Sequence, residues 1–148
     1  MANGDSIPSN LSSDEWVTTT IGAVAVYGEG ASICSASTSA FGEDACDEEW
    51  SLNEYGRLYN WYAVDDSRDL CPTGWHVPTD GEWMEMEIEL GMTVAQANGY
   101  NWRGTDQGTQ MKTDYGWDIW GDMVNGTNSS GFTALPGGDR SGVYGNFD

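Results

Sequence analysis

The side chains capable of covalent or metal chemistry are few in this sequence. There is one histidine, His76, and there are three cysteines, Cys34, Cys46 and Cys71. His76 sits in Gly74-Trp-His-Val-Pro78, between an aromatic ring and the proline that precedes a helical stretch. That setting suits a hydrogen-bonded structural imidazole better than a general base. A serine nucleophile would need a sharp elbow to hold it, and no Gly-x-Ser-x-Gly occurs. The 24 acidic residues allow so many carboxylate pairs that spacing selects none for glycoside hydrolysis. With neither a second histidine nor a Cys-x-x-Cys, a zinc site is not expected. The chain therefore reads as a non-enzymatic protein.

Two other chemistries fit the residues better. Ca²⁺ takes several hard oxygen ligands, and Asp106, Asp118 and Asp122 lie in a glycine-rich stretch whose carbonyls could add neutral ones. No EF-hand spacing is present, and a solvated, solubilising face accounts for the same acids. No cofactor is required by the residues, and Ca²⁺ is the one candidate. Trp102, Trp117 and Trp120 are interleaved with Gly, Asn and Asp. Together with Asn125 and Asn128 they offer ring faces and amides that suit stacking on, and hydrogen bonding to, a sugar. The competing reading is that these rings anchor irregular loops. Cys34 and Cys46 flank a loop rich in small polar residues, and a disulfide across it would contribute about 3 kcal/mol. The alternative is a pair of thiols in a reducing compartment. Cys71 is then odd, either a free buried thiol or one whose partner lies outside the chain.

The elements that must position these residues are readable in part. Residues 1–15 are polar and read as an extended arm. Val17 to Tyr27 is rich in β-branched residues and predicts one strand, or two kinked at Gly22. Residues 28–50 read as loop, and 58–64 as helix, although the aromatic content there also suits a strand. Thr79 and Glu82 form a capping box that opens a helix, and acids crowd its first turn, where the helix dipole favours them. Trp83, Met86 and Leu90, flanked by Met84 and Ile88, predict a core-facing stripe, and Gly91 a stop. A second box at Thr93 and Gln96 predicts a short helix. From Asn101 to Asp148 no helical period remains. The expected organisation is one domain: an arm (1–15), a strand and helix half (16–100), and an irregular loop half (101–148).

Composition bounds the function classes. The chain has 148 residues, with 5 basic against 24 acidic and a net charge of −19. Such a polyanion repels phosphate backbones and anionic lipid heads, which disfavours nucleic acid and direct membrane insertion. Its 8 Trp, 7 Tyr and 3 Phe are too many for a disordered acidic chain. No apolar run of about 18 residues is present. Met1 to Asp5 does not resemble a signal peptide, so an exported protein would carry its address upstream, or Met1 is an added start. N-x-S/T sequons stand at Asn10, Asn125 and Asn128, and would matter only in a eukaryotic or viral secretory setting.

Three motifs carry a family resemblance. They are Tyr55-Gly-Arg-Leu-Tyr-Asn-Trp-Tyr-Ala-Val64, Leu70-Cys-Pro-Thr-Gly-Trp-His-Val-Pro-Thr-Asp-Gly-Glu-Trp83, and Gly126-Thr-Asn-Ser-Ser-Gly-Phe132 followed by Leu135-Pro-Gly-Gly138. In this order, over about residues 53–145, the chain resembles the Fibrobacter succinogenes major paralogous domain. The resemblance implies an α+β fold related to C-type lectins and formylglycine-generating enzymes. It also implies an exported bacterial or phage-borne setting. Two departures stand out. The flanking strands usual in the family are not recognisable, so the domain looks cut at both ends. The redox cysteine pair of the formylglycine-generating enzymes has no counterpart after Cys71. The expected function is thus a non-enzymatic module, extracellular or at the cell surface, that recognises a glycan or surface protein. The alternative is a self-assembling subunit of a filament, virion or surface layer, whose strands are completed by neighbouring copies.

Overall fold

The computed structural model describes residues 1–30, 44–117 and 125–147. The class is α+β: short helices and one small antiparallel ladder. Packing divides the chain at Val77/Pro78 and Pro136/Gly137, giving one compact unit from Met1–Val77 with Gly137–Asp148 and another from Pro78–Pro136.

In the first unit the arm is shorter than expected. Ser12 caps helix α1 (Ser13–Thr18), accepting from the Glu15 amide while the Glu15 carboxylate accepts from the Ser12 amide at 2.9 Å. This capping box lay unnoticed inside a stretch whose polarity suggests a loop. It also makes Val17 and Thr18 helical, so only β1 (Val24–Ala25) remains of the expected strand. The arm is held at Pro8, whose carbonyl accepts from the Val24 amide at 2.9 Å. The acidic run Asp47-Glu48-Glu49, expected in a loop, starts helix α2 (Glu48–Glu54). Asp47 accepts from the Trp50 amide at 2.9 Å, and the two glutamates lie on the positive end of the helix dipole.

The ambiguous 58–64 segment contains both predicted conformations. Leu58–Tyr59 form β2, paired antiparallel with β1 in the register Val24↔Tyr59 and Ala25↔Leu58. Trp61–Val64 form helix α3. Asn60 joins them: its Oδ1 accepts from the amides of Ala23 (2.9 Å) and Ala63 (3.0 Å), and its Nδ2 donates to the Ile21 carbonyl at 3.0 Å. One side chain thus extends the ladder and caps the helix. The core gathers Trp16, Ala23, Ala25 and Phe147, with Leu11, Tyr27 and Leu58 packed against it. Phe147 reaches it because Gly145, at φ +71°, passes so close to the Ser13 backbone that any Cβ would collide.

In the second unit both predicted capping boxes form. They open α4 (Asp80–Glu89) at Thr79 and α5 (Val94–Ala97) at Thr93, and the two helices pack together. The expected burial of α4 does not occur. None of its residues is buried, and Trp83 is 37 % exposed. The reason is in Glu82-Trp-Met-Glu-Met-Glu-Ile-Glu89: Trp83, Met86 and Leu90 share a stripe, but Glu82 and Glu89 border it on one side and Glu87 on the other, and Met84 and Ile88 fall opposite, so the stripe is too narrow to bury the helix. Helix α6 (Gln107–Met111) follows, and Lys112 makes a parallel bridge with Ala134.

Candidate functional site

The best-defined solvent-facing feature of the second unit is the loop between α5 and α6. Arg103 fastens it to α4. Its Nε lies 2.9 Å from Glu87 Oε2, its Nη2 is 3.5 Å from Asp80 Oδ1, and its Nη1 donates to the Gly99 carbonyl at 3.4 Å. The hydrogen bond to Glu87, reinforced by the charges of Glu87 and Asp80, holds the guanidinium above its ordinary pKa. Past Arg103 the backbone is fixed again. The buried Gln107 accepts from the Thr105 amide at 2.9 Å and donates to the Leu90 carbonyl at 3.5 Å. Gly104, at φ +78°, leaves no room for a Cβ against the Gln107 side chain and the Met92 methyl.

On this pinned loop, Tyr100 is 94 % and Trp102 101 % exposed, on either side of Asn101 at φ 63°. Two large rings fully in water are unusual, because burying either would remove 150–250 Å² or so of mostly apolar surface from solvent. The chain that follows the rings is fastened at Arg103 and Gln107.

The other predicted residues distribute differently. Trp117 is an anchor: its Nε1 donates to Thr113 Oγ1 (3.1 Å) and the Ala134 carbonyl (3.2 Å), and Lys112 Nζ lies 4.7 Å from its ring centre. Asn125 accepts from the Trp117 amide at 3.1 Å. Asn128, at φ 49°, closes the following turn by accepting from the Thr133 amide at 2.8 Å and donating to Thr133 Oγ1 at 3.0 Å. The Trp117 indole N–H, the Asn125 Oδ1 and the Asn128 amide thus make contacts within the chain, while Asn125 itself stays exposed. Asp106 occupies the N-cap of α6 without capping it, and its side chain accepts from Thr105 Oγ1 at 3.3 Å. Trp120, Asp118, Asp122 and Cys34 lie outside the described residues, and with them the expected Ca²⁺ set and the Cys34–Cys46 bridge. Among the described residues no three His, Cys, Asp or Glu side chains are grouped to hold a metal. Cys71 is a free thiol, half-buried and not buried as expected. His76 and the whole run Pro72–Asp80 are exposed.

A family model, the Fibrobacter succinogenes major domain, matches residues 7–148. The chain belongs to that family. The match extends the resemblance of the central motifs to both units and almost to the N-terminus. No curated protein and no solved structure matches the chain. Within the motif that carries the resemblance, every residue from Pro72 to Trp83 is exposed, with Trp75 at 76 %. Tyr100 and the Arg103 clamp escaped the sequence reading. The available signal was the scarcity of bases: with 5 in the chain, an arginine beside Tyr-Asn-Trp is conspicuous.

Proposed function

We propose that this member of the family is a non-enzymatic module, extracellular or surface-exposed, that recognises an external glycan or protein through Tyr100 and Trp102. The observation that carries the reading is the full exposure of both rings next to a stretch fastened at Arg103 and Gln107. Rings that are already desolvation-ready, on a loop pinned at Arg103 and Gln107, contribute to binding without a large ordering cost. Trp102 is among the residues expected to bind from sequence, and Tyr100 joins it. A lectin-like arrangement of the whole domain belongs to the same proposal. The test is binding of the full chain to immobilised surface glycans and surface-protein extracts, with Trp102→Ala and Tyr100→Ala alongside. Both variants should keep the wild-type circular dichroism spectrum and lose binding. Retention of binding by the double variant would move the site elsewhere.

The second reading, a self-assembling subunit, is favoured by the two-residue strands β1 and β2 and by the exposed Pro72–Val77 run with Trp75. A two-stranded pair of this length is marginal alone and open at its edges. Sedimentation velocity separates the readings: a single monomeric boundary at high protein concentration rejects the subunit.

A further inference from the structure

The Tyr100/Trp102 loop also carries information about which ligand it takes, and the argument rests on the proposal that this loop is the binding site. Sugar recognition needs several polar side chains converging on hydroxyl groups. Around these rings most such groups are already committed, and the Asn101 amide and Tyr100 hydroxyl are what the loop offers a sugar. Asn98 Nδ2 donates to the Val94 carbonyl at 2.8 Å, and Arg103 is divided among Glu87, Asp80 and the Gly99 carbonyl. Thr105 Oγ1 donates to Asp106 at 3.3 Å, and Gln107 bonds the Thr105 amide and the Leu90 carbonyl. Two polar groups are fewer than a sugar needs, and most of what the loop leaves to a ligand is ring surface and negative charge.

That charge is local as well as global. The Arg103 clamp joins one cation to two carboxylates, and the outer one, on Asp80, is 78 % exposed. Between Pro78 and Pro136 the sequence holds nine acidic and two basic residues. Both bases are engaged, Arg103 with α4 and Lys112 over Trp117. An aromatic face is itself negative and attracts a cation placed over it. An anionic glycan is repelled by this surface, and a neutral one gains nothing from it. A second copy of the chain brings a further −19.

We infer that the ligand of the Tyr100/Trp102 loop is a basic protein surface, whose lysine or arginine side chains stack on the two rings of this loop, which Arg103 links to the exposed Asp80. Charge steers the partner in, and the rings hold it.

The experiment uses the full chain and three probes at physiological salt: an octa-arginine peptide, a neutral chitin hexamer and an octa-glutamate peptide. Tyr100→Ala/Trp102→Ala leaves the net charge untouched, so any loss in this variant measures the rings and not the overall field. The expected result is binding of octa-arginine that weakens on the order of tenfold in the double variant. A smaller loss is expected in Asp80→Asn, and no binding of octa-glutamate. Equal octa-arginine affinity in wild type and double variant, or no affinity in either, overturns the inference. Ring-dependent binding of the chitin hexamer without ring-dependent binding of octa-arginine also overturns it, yet leaves the loop as the binding site. Absence of ring dependence for every probe sinks the inference, and the same variants tested on surface extracts then decide the site itself.

Discussion

The buried ion pair between Glu29 and Arg140 should govern the stability of the first unit. Its two side chains are 2 % and 3 % exposed and lie 3.0 Å apart. Arg140 also donates to the Leu11 carbonyl at 2.5 Å and the Gly145 carbonyl at 3.1 Å, and its guanidinium lies 4.5 Å from the Trp16 ring centre and 5.0 Å from that of Phe147. Glu29 in turn accepts from the Val26 amide at 2.9 Å. Burial lowers the pKa of the guanidinium more than Glu29 restores it, so the pair works against a desolvation cost. Removing one partner leaves the other charge buried and uncompensated, a loss of about 3–5 kcal/mol. Set against a total stability of about 5–15 kcal/mol, that is enough to unfold much of a marginal protein. Arg140→Met should lower the urea midpoint accordingly and speed hydrogen exchange at residues 140–147, which the pair ties to the N-terminal core. Glu29→Gln should cost a similar amount while keeping an acceptor for Val26. The decisive arm is the double variant. If the cost is uncompensated charge, Glu29→Gln/Arg140→Met should recover a large part of the loss, because no charge is left behind. Additive losses, or an Arg140→Met protein with an unchanged midpoint, would refute the reasoning.

Three further outcomes follow from the geometry. Trp83→Ala should cost only about 1 kcal/mol, because the ring is 37 % exposed and its main partner is Phe132, edge-on at 5.8 Å; a loss of the size typical of a buried ring, about 3–5 kcal/mol, would show that α4 is covered in solution. Asp66 accepts from Arg68 and is held down to about 2 from 3.8. Its contribution to stability should be complete above about pH 4 and vanish as the pH falls toward 2, so Asp66→Asn should reduce the acid-side fall in the unfolding midpoint; an unchanged acid limb would remove the pair from the account. With Cys34 and Cys46 bridged, as proposed from their spacing, denatured protein should show one reactive thiol, and native Cys71, half-buried, should react without unfolding. Three thiols in denaturant would reject the bridge.

Local signals in the sequence were reliable where chemistry between near neighbours decides the conformation. Thr79 with Glu82 and Thr93 with Gln96 are such cases, since a capping box needs nothing beyond four consecutive residues. The equivalent box at Ser12 and Glu15 was equally visible, and the polarity of its surroundings concealed it. Burial was less readable. The apolar residues of α4 match a core-facing stripe in spacing, and only the intervening glutamates show that the helix cannot turn one clean face inward. The division into two units was not readable at all. Gly137–Asp148 joins the first unit through contacts to Leu11, Ser13 and Glu29, more than a hundred residues away, and no local pattern records such a pairing.

The five basic residues connect the fold to the proposed function. Four of them are fasteners: Arg68 holds Asp5 and Asp66, Arg103 holds Glu87 and Asp80, Arg140 holds Glu29, and Lys112 lies over Trp117. A chain that used its cations on its surface would offset its acids there. This one buries Arg140 and largely covers Arg103 where two segments are joined, and with Arg57 and Arg68 still at the surface the acids there remain in large surplus. The same arrangement that closes the fold therefore produces the negative surface around Tyr100 and Trp102. Neutralising that surface by substitution tests the link directly. Glu85→Gln/Glu89→Gln removes two exposed charges of α4 that none of these fasteners uses, so the midpoint of unfolding should hold or rise as self-repulsion falls. Association with a polycation should slow at low salt, and the difference from wild type should shrink as the screening length approaches about 8 Å. A fall in stability of more than 1 kcal/mol or so would show instead that these acids serve the fold, and the separation between fastening cations and steering acids would not hold.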